Sequence, residues 1–318
     1  MDSYIHGQRI FLSLFLLLFA SPAFSDSPTI LLLQSGNAPV YQEVTSNILS
    51  NLESICPECQ AYKIEQASIE DTQIEDLLNS GESRLDLVVS IGVKAAKRIA
   101  DSGLSIPKLY TLIPKSSAAA LKLDKKSNTV SAIYLDQPLA RQLNLIKLIG
   151  TARQVLGVLF GPSTTAFRPK LEMIANSLNI ATRTETVISG VGVGPALRRL
   201  LDSSDILLAL PDPVVYNQYT IFNILLSSYH NQIPIVGFSA SYVKAGAMLA
   251  VYSTPSDIGK HIAETIRQFV IADDDHLKNM EFPRYFSIEV NKSVARSLDI
   301  NLPAPTELKQ QLERLEGQ

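Results

Sequence analysis

The chain has 318 residues, carries 28 Lys and Arg against 31 Asp and Glu for a formal net charge of −3, and is 46% hydrophobic. That apolar content excludes a disordered chain, and the near-balanced charge gives no electrostatic basis for binding nucleic acid. At roughly 150 residues per domain, the length fits one large or two medium domains.

The N-terminus reads as a signal peptide over residues 1–25. Arg9 supplies a weak positive region, Ile10 to Ala20 is an apolar run broken only by Ser13, and Ala23-Phe24-Ser25 places small residues before a cleavage point near Ser25. The apolar run is about half the ~20 residues that a membrane span requires. No cysteine adjoins the cleavage point, so a lipid anchor is not expected. The expectation is a soluble protein exported to the periplasm.

Beyond it, short apolar runs alternate with helical patterns. Thr29 to Gln34 (TILLLQ) is a near-continuous apolar strand, as in a parallel sheet covered on both faces. A helix is expected over Val40 to Ser54. Cys56-Pro57-Glu58-Cys59 follows, holding the only two cysteines. In an oxidising compartment this pair reads as a structural disulfide pinning a turn, with catalytic exchange and free or metal-bound thiols as alternatives. No second CxxC or HxxxH completes a zinc set, so no metal is expected. Strands are then expected over Gln60 to Gln66, Leu85 to Ile91, Lys108 to Ile113 and Val130 to Tyr134, with helices over Asp71 to Asn79 and Val93 to Asp101.

The pattern then restarts. Helices are expected over Leu139 to Leu148, Thr165 to Leu178, Pro195 to Leu201, Val214 to His230, Asp257 to Ile271, Lys292 to Ser297 and Thr306 to Gly317. Strands are expected over Val155 to Phe160, Ile180 to Val187, Ile206 to Leu210, Ile233 to Phe238, Met248 to Tyr252 and Phe286 to Val290. Val214 to His230 is apolar almost all round, which predicts burial on both sides. The chain therefore reads as an α/β protein of two successive, doubly wound, Rossmann-like lobes.

Open parallel sheets bind ligands at the carboxyl ends of their strands. The turns there carry Ser35, Gly36 and Asn37; Ser90, Gly92 and Val93; Pro114 and Ser116; Gly161, Ser163 and Thr164; Asp212; and Ser239. Such residues also serve as helix caps. Asp212, held between Pro211 and Pro213, could cap the next helix or meet a ligand ammonium, and Tyr216 one turn later could stack on a ligand or pack in the core. Catalytic patterns fail. Gly237-Phe238-Ser239-Ala240-Ser241 follows a strand but lacks the second glycine of a nucleophile elbow. The Gly190 to Gly194 run, with Asp212 beyond it, has Pro195 where a dinucleotide fingerprint needs glycine. No cofactor and no enzymatic activity are expected.

Several segments together resemble the exported substrate-binding proteins of ABC transporters, with the type I periplasmic-binding fold, and most of all the group with tryptophan- and tyrosine-binding members. They are residues 87–96, 142–149, 155–163, 233–239, 243–247 and 290–298. The resemblance implies two lobes joined by three crossings, a hinge, and a ligand enclosed between the lobes. It places residues 26–132 and 249–276 in lobe one, and 133–248 and 277–318 in lobe two. It implies an amino acid or related zwitterion as ligand, with Asp212 meeting its amino group, and delivery by a monomer to an ABC permease of the inner membrane. Alternatives are a ligand sensor for a membrane receptor and an exported hydrolase using Ser239. The chain departs from the resemblance at Asp212-Pro213-Val214, where an Asp-Asn-Thr-type turn is common, and at Lys94, where proline is common.

Overall fold

The computed structural model describes residues 27–79, 85–123, 128–149, 155–272 and 276–317. The expected signal peptide and its cleavage point lie outside them. The first sheet runs β1 (Thr29–Gln34), β2 (Lys63–Ser68), β3 (Leu87–Ile91), β4 (Lys108–Ile113) and β5 (Val130–Tyr134), all parallel, in spatial order β2-β1-β3-β4-β5. Helices α1 (Pro39–Ile55), α2 (Ile74–Asn79), α3 (Val93–Ala100) and α4 (Lys115–Ala120) connect the strands. All six residues of β1 are buried because α1 covers one face through Val44, Ile48 and Leu52, while Ile74, Ala95 and Ile99 cover the other.

The second sheet repeats the plan with α5 (Leu139–Leu148), β6 (Val155–Phe160), α6 (Arg168–Ser177), β7 (Ala181–Thr186), α7 (Val193–Leu201), β8 (Ile206–Leu208), α8 (Ile221–His230), β9 (Ile235–Gly237), α9 (Ala240–Ala245) and β10 (Leu249–Tyr252). After α10 (Pro255–Ala272) come β11 (Ser287–Val290), α11 (Lys292–Ser297) and α12 (Pro305–Glu316). Its order is β11-β10-β9-β8-β6-β7, parallel except for the antiparallel β11. Both sheets reverse their winding once, at β1/β3 and at β6/β8, which is where an open α/β sheet leaves a crevice.

Three expectations need correcting. The strand expected from Gln60 begins at Lys63, because Pro57 opens a 3-10 turn that the Cys56–Cys59 disulfide closes. The long helix expected from Val214 begins only at Ile221. Between them, Asn217 turns its Nδ2 back onto the Pro213 carbonyl at 2.9 Å, and Thr220 Oγ1 bonds the Val215 carbonyl at 2.6 Å. These short side chains give the backbone an alternative to the helical ladder. Nor is α8 buried on both sides, since Phe222 is 69% exposed and Leu226 and Tyr229 are also open.

The third correction concerns the lobe boundaries. Leu249 pairs with Val236 and Val290, so β10 belongs to the second sheet and the return to the first follows Tyr252. Helix α10 then packs on α1 through Ile258, Ile262 and Ile266. Residues 277–282 stay with the first sheet as well: Leu277 donates to Asn128, and Glu281 bridges β5 at Ile133.

The three crossings are tied to one another. Gln137 Nε2 donates to Ser253 Oγ at 2.9 Å, and Ser253 Oγ donates to the Tyr285 carbonyl at 2.6 Å. Arg141, 2% exposed, donates to Gln137 Oε1 and to the Pro283 carbonyl, and forms a bidentate pair with Glu316 of α12.

A second cluster braces the last crossing. His261 is fully buried, its Nδ1 accepts from the Arg284 amide, and its Nε2–H therefore points at Glu281 Oε1, 2.9 Å away. Burial pushes the Glu281 carboxyl up, but the His261 hydrogen bond and the Arg284 and Lys278 charges outweigh it and leave the group below its ordinary 4.5. A carboxyl depressed on folding stabilises the fold above its unfolded value, and that contribution is lost as pH falls through the folded value. Stability of the wild type is thus expected to fall more steeply below pH 4.5 than that of Glu281→Gln, measured by urea unfolding across pH 3 to 6.

Candidate functional site

At the first switch point, β1 and β3 end side by side. The Ser35 amide donates to the Ile91 carbonyl at 2.9 Å, and its buried Oγ accepts from the Ala95 amide at 2.9 Å. Ser35 therefore caps α3 from the neighbouring strand. Gly92 has φ 95°, and a Cβ there would lie 2.5 Å from Ser35 Oγ and 2.8 Å from the Tyr41 ring, so only glycine fits the turn. Ser90 lies one residue before the end of β3. Its side chain is fully buried, and its hydroxyl has no hydrogen-bond partner among the described residues. Val93, at the start of α3, is 41% exposed.

Asn37 is exposed at the β1 turn, and its Nδ2 donates to Glu70 Oε2 at 3.0 Å. Glu70 follows β2, and its Oε1 would sit 2.9 Å from a Cβ on Gly36. Sequence reasoning missed this carboxylate, because nothing in the β2 segment marks Glu70 as adjoining the β1 turn. Pro114 precedes α4 and Ser116 is half-buried in its first turn.

The second switch point is a closed hydrogen-bonded unit. Asp212, 2% exposed, accepts at Oδ2 from the Ser163 amide (2.9 Å) and Thr164 Oγ1 (3.1 Å), and at Oδ1 from the Val214 and Val215 amides (2.9 and 3.4 Å). Thr164 Oγ1 in turn accepts from the Gly161 amide at 3.0 Å. A Cβ on Gly161 would stand 2.2 Å from Asp212 Oδ1, so glycine is obligatory there too. The carboxylate expected to receive a ligand ammonium instead clamps the turn after β6 to the turn after β8, with its four acceptor positions occupied.

Tyr216 is buried in an edge-to-face cluster with Phe238 and Tyr242, centroids 6.1 and 6.2 Å away, which leaves it no open stacking face. Burial, followed by the Tyr242 and Asp212 charges, pushes the Tyr216 hydroxyl up, and burial raises that of Tyr242 to about 12. Ser239 precedes α9 half-buried, and its Oγ lies 2.8 Å from Ser241 Oγ. The buried His261 bonds Glu281 and the Arg284 amide rather than Ser239. Of the residues expected to meet a ligand, Asn37, Val93, Pro114, Ser116, Ser163 and Ser239 keep exposed surface at the strand ends, whereas Ser35, Ser90, Thr164, Asp212 and Tyr216 hold the scaffold.

A cavity of about 190 Å³ lies beside the hinge, lined by Lys115, Asp136 to Ala140, Gln142, Phe167, Lys170, Ile174, Leu210, Pro211 and Phe282. Its walls come from both lobes. None of the residues expected from sequence lines it. Among the described residues, no helix is long and apolar enough to cross a membrane and no acid, histidine or cysteine cluster could hold a metal ion.

Solved structures share this architecture. A ligand-free, open substrate-binding protein with adhesive properties from Clostridium difficile matches with TM-score 0.70 at 16% identity, covering 87% of this chain and 96% of that one. A conserved domain protein from Vibrio cholerae matches with TM-score 0.60 at 18% identity, covering 89% and 98%. An ABC domain in complex with L-Trp from Streptococcus pneumonia matches with TM-score 0.59 at 19% identity, also covering 89% and 98%. At such identities the likeness shows the two-lobe periplasmic-binding fold. No curated protein matches the sequence. The ABC transporter substrate binding protein family matches residues 52–309, from the end of α1 through β2 to β11 and all three crossings to the first turn of α12, with β1 outside the match. The chain belongs to that family.

Proposed function

We propose that this protein is a periplasmic solute-binding protein that captures a small polar ligand between its lobes and delivers it to an ABC permease, after export and removal of residues 1–25. The family binds solutes rather than converting them. The observation that carries the reading is the pair of switch points, where the polar turns of both sheets meet the N-termini of α3, α4, α6 and α9. Helix N-termini favour anionic groups. An amino acid or related zwitterion suits them, and the L-Trp held by the pneumococcal neighbour supports that class.

With Asp212 engaged, Glu70 takes the role of cation acceptor. It is exposed, carboxylate, and already fixed beside the β1 turn by Asn37. Closure of the lobes would desolvate both charges of the ligand.

The reading is tested by thermal unfolding against a panel of amino acids, with sugars and oxyanions as controls. An amino acid at 100 times its Kd adds about 2.7 kcal/mol, a rise of several degrees. The rise should be lost in Glu70→Gln. Flat curves with every amino acid, or a rise only with a sugar, would overturn the ligand class.

A further inference from the structure

The cavity beside the hinge carries a charge pattern that the switch points do not. Lys115 stands on α4 of the first lobe and Lys170 on α6 of the second. Among the described residues, neither ammonium has a carboxylate within ion-pairing distance. Lys115 Nζ instead lies 5.2 Å from the Phe282 ring centroid and 5.8 Å from that of Tyr134.

Asp136 is the only carboxylate in the lining among the described residues, and its Oδ2 accepts from the Lys115 amide at 2.5 Å. Burial pushes its carboxyl up, against the backbone hydrogen bonds and the Lys115 charge that lower it. Two lysines against one internally engaged aspartate leave the cavity net positive. The rest of the wall is mostly apolar, with Phe167, Ile174, Leu210 and Phe282. An apolar cavity of about 150 Å³ accommodates benzene. One of about 190 Å³ takes a phenyl-sized body with a short side arm.

We propose that this hinge cavity is a second binding site, for an amphipathic carboxylate with an apolar body and one anionic group. The ligand differs in kind from a zwitterion, because the two lysines outnumber the one lining carboxylate, which the Lys115 amide engages, and the unbonded buried acceptor of the wall, Gln142 Oε1, is neutral. Its walls include α4 and Phe282 of the first lobe, α6 of the second and the first crossing, so a bound molecule contacts both lobes and the hinge between them. Two ammonium groups on opposite lobes repel as the lobes approach, and a carboxylate between them reverses the sign of that interaction. Occupancy therefore favours one lobe angle over others, and couples this site to the cleft.

Titration calorimetry on the full chain tests this with 3-phenylpropionate and its neutral isostere 3-phenylpropanamide. The acid should bind at least tenfold more tightly than the amide. Lys115→Gln combined with Lys170→Gln should erase that preference. Ala140→Phe, which fills the cavity from an exposed wall position, should abolish binding of both probes while circular dichroism stays unchanged. Asn37→Leu, in the switch-point cleft, should leave both affinities unaltered, which separates this site from the proposed amino-acid site. Equal affinity for acid and amide, absence of heat with the acid, or binding that survives Ala140→Phe would overturn the proposal.

Discussion

Asp212→Ala is expected to destabilise the protein by about 3–5 kcal/mol, because it strips one buried acceptor from three amides and a hydroxyl. Asp212→Asn keeps the volume but turns an amide NH₂ toward one pair of donors, and should cost about 2–3 kcal/mol. Gly161→Ala probes the same unit from the other side. Its methyl group would stand 2.2 Å from Asp212 Oδ1, so the clamp must open. Urea unfolding followed by far-UV circular dichroism measures all three. An Asp212→Ala protein within 1 kcal/mol of wild type would mean that the carboxylate does not hold the two turns together.

The second large effect is expected at the crossings. Arg141→Met removes a buried guanidinium that bonds Gln137, the Pro283 carbonyl and Glu316, and that lies 4.1 Å from the Phe286 ring centroid. Methionine retains part of the packing over Phe286, but nothing replaces the fork of donors. Glu316 keeps some solvent access, so the loss should be about 2–4 kcal/mol rather than the full cost of stranding a buried charge. Glu316→Gln should cost less, because Arg141 then keeps its bonds to Gln137 and Pro283. Thermal unfolding of the two variants distinguishes a knot centred on Arg141 from a surface ion pair, for which both substitutions would cost under 1 kcal/mol.

Much of the fold was legible because it rests on short-range patterns. The unbroken apolar run of β1 and the alternation of strands and helices suffice for two doubly wound sheets. The points that escaped depend on partners far apart in the chain. Asp212 was recognisable as a stiffly held carboxylate, but the donors that occupy it, Ser163 and Thr164, lie 49 and 48 residues away. Nothing in the helix pattern over Leu139 to Leu148 marks Arg141, and its partner Glu316 is 175 residues distant. Glu70 and the β1 turn meet only because β2 lies beside β1 in the sheet.

Local misreadings had local causes. The apolar stretch after Pro213 suggested a continuous helix, yet Asn217 and Thr220 bond their own backbone and delay it to Ile221. Those two residue types were the available warning. The boundary at residue 249 followed the resemblance rather than the residues, and β10's pairing with β9 and β11 moves it past Tyr252.

Capture of a ligand between two hinged lobes is the central claim, and small-angle X-ray scattering in solution tests it most directly. With the amino acid that gives the largest thermal shift present at saturation, the radius of gyration should fall and the scattering curve should change to that of a more compact particle. A ligand that raises the unfolding temperature while leaving the scattering curve unchanged would contradict closure around it.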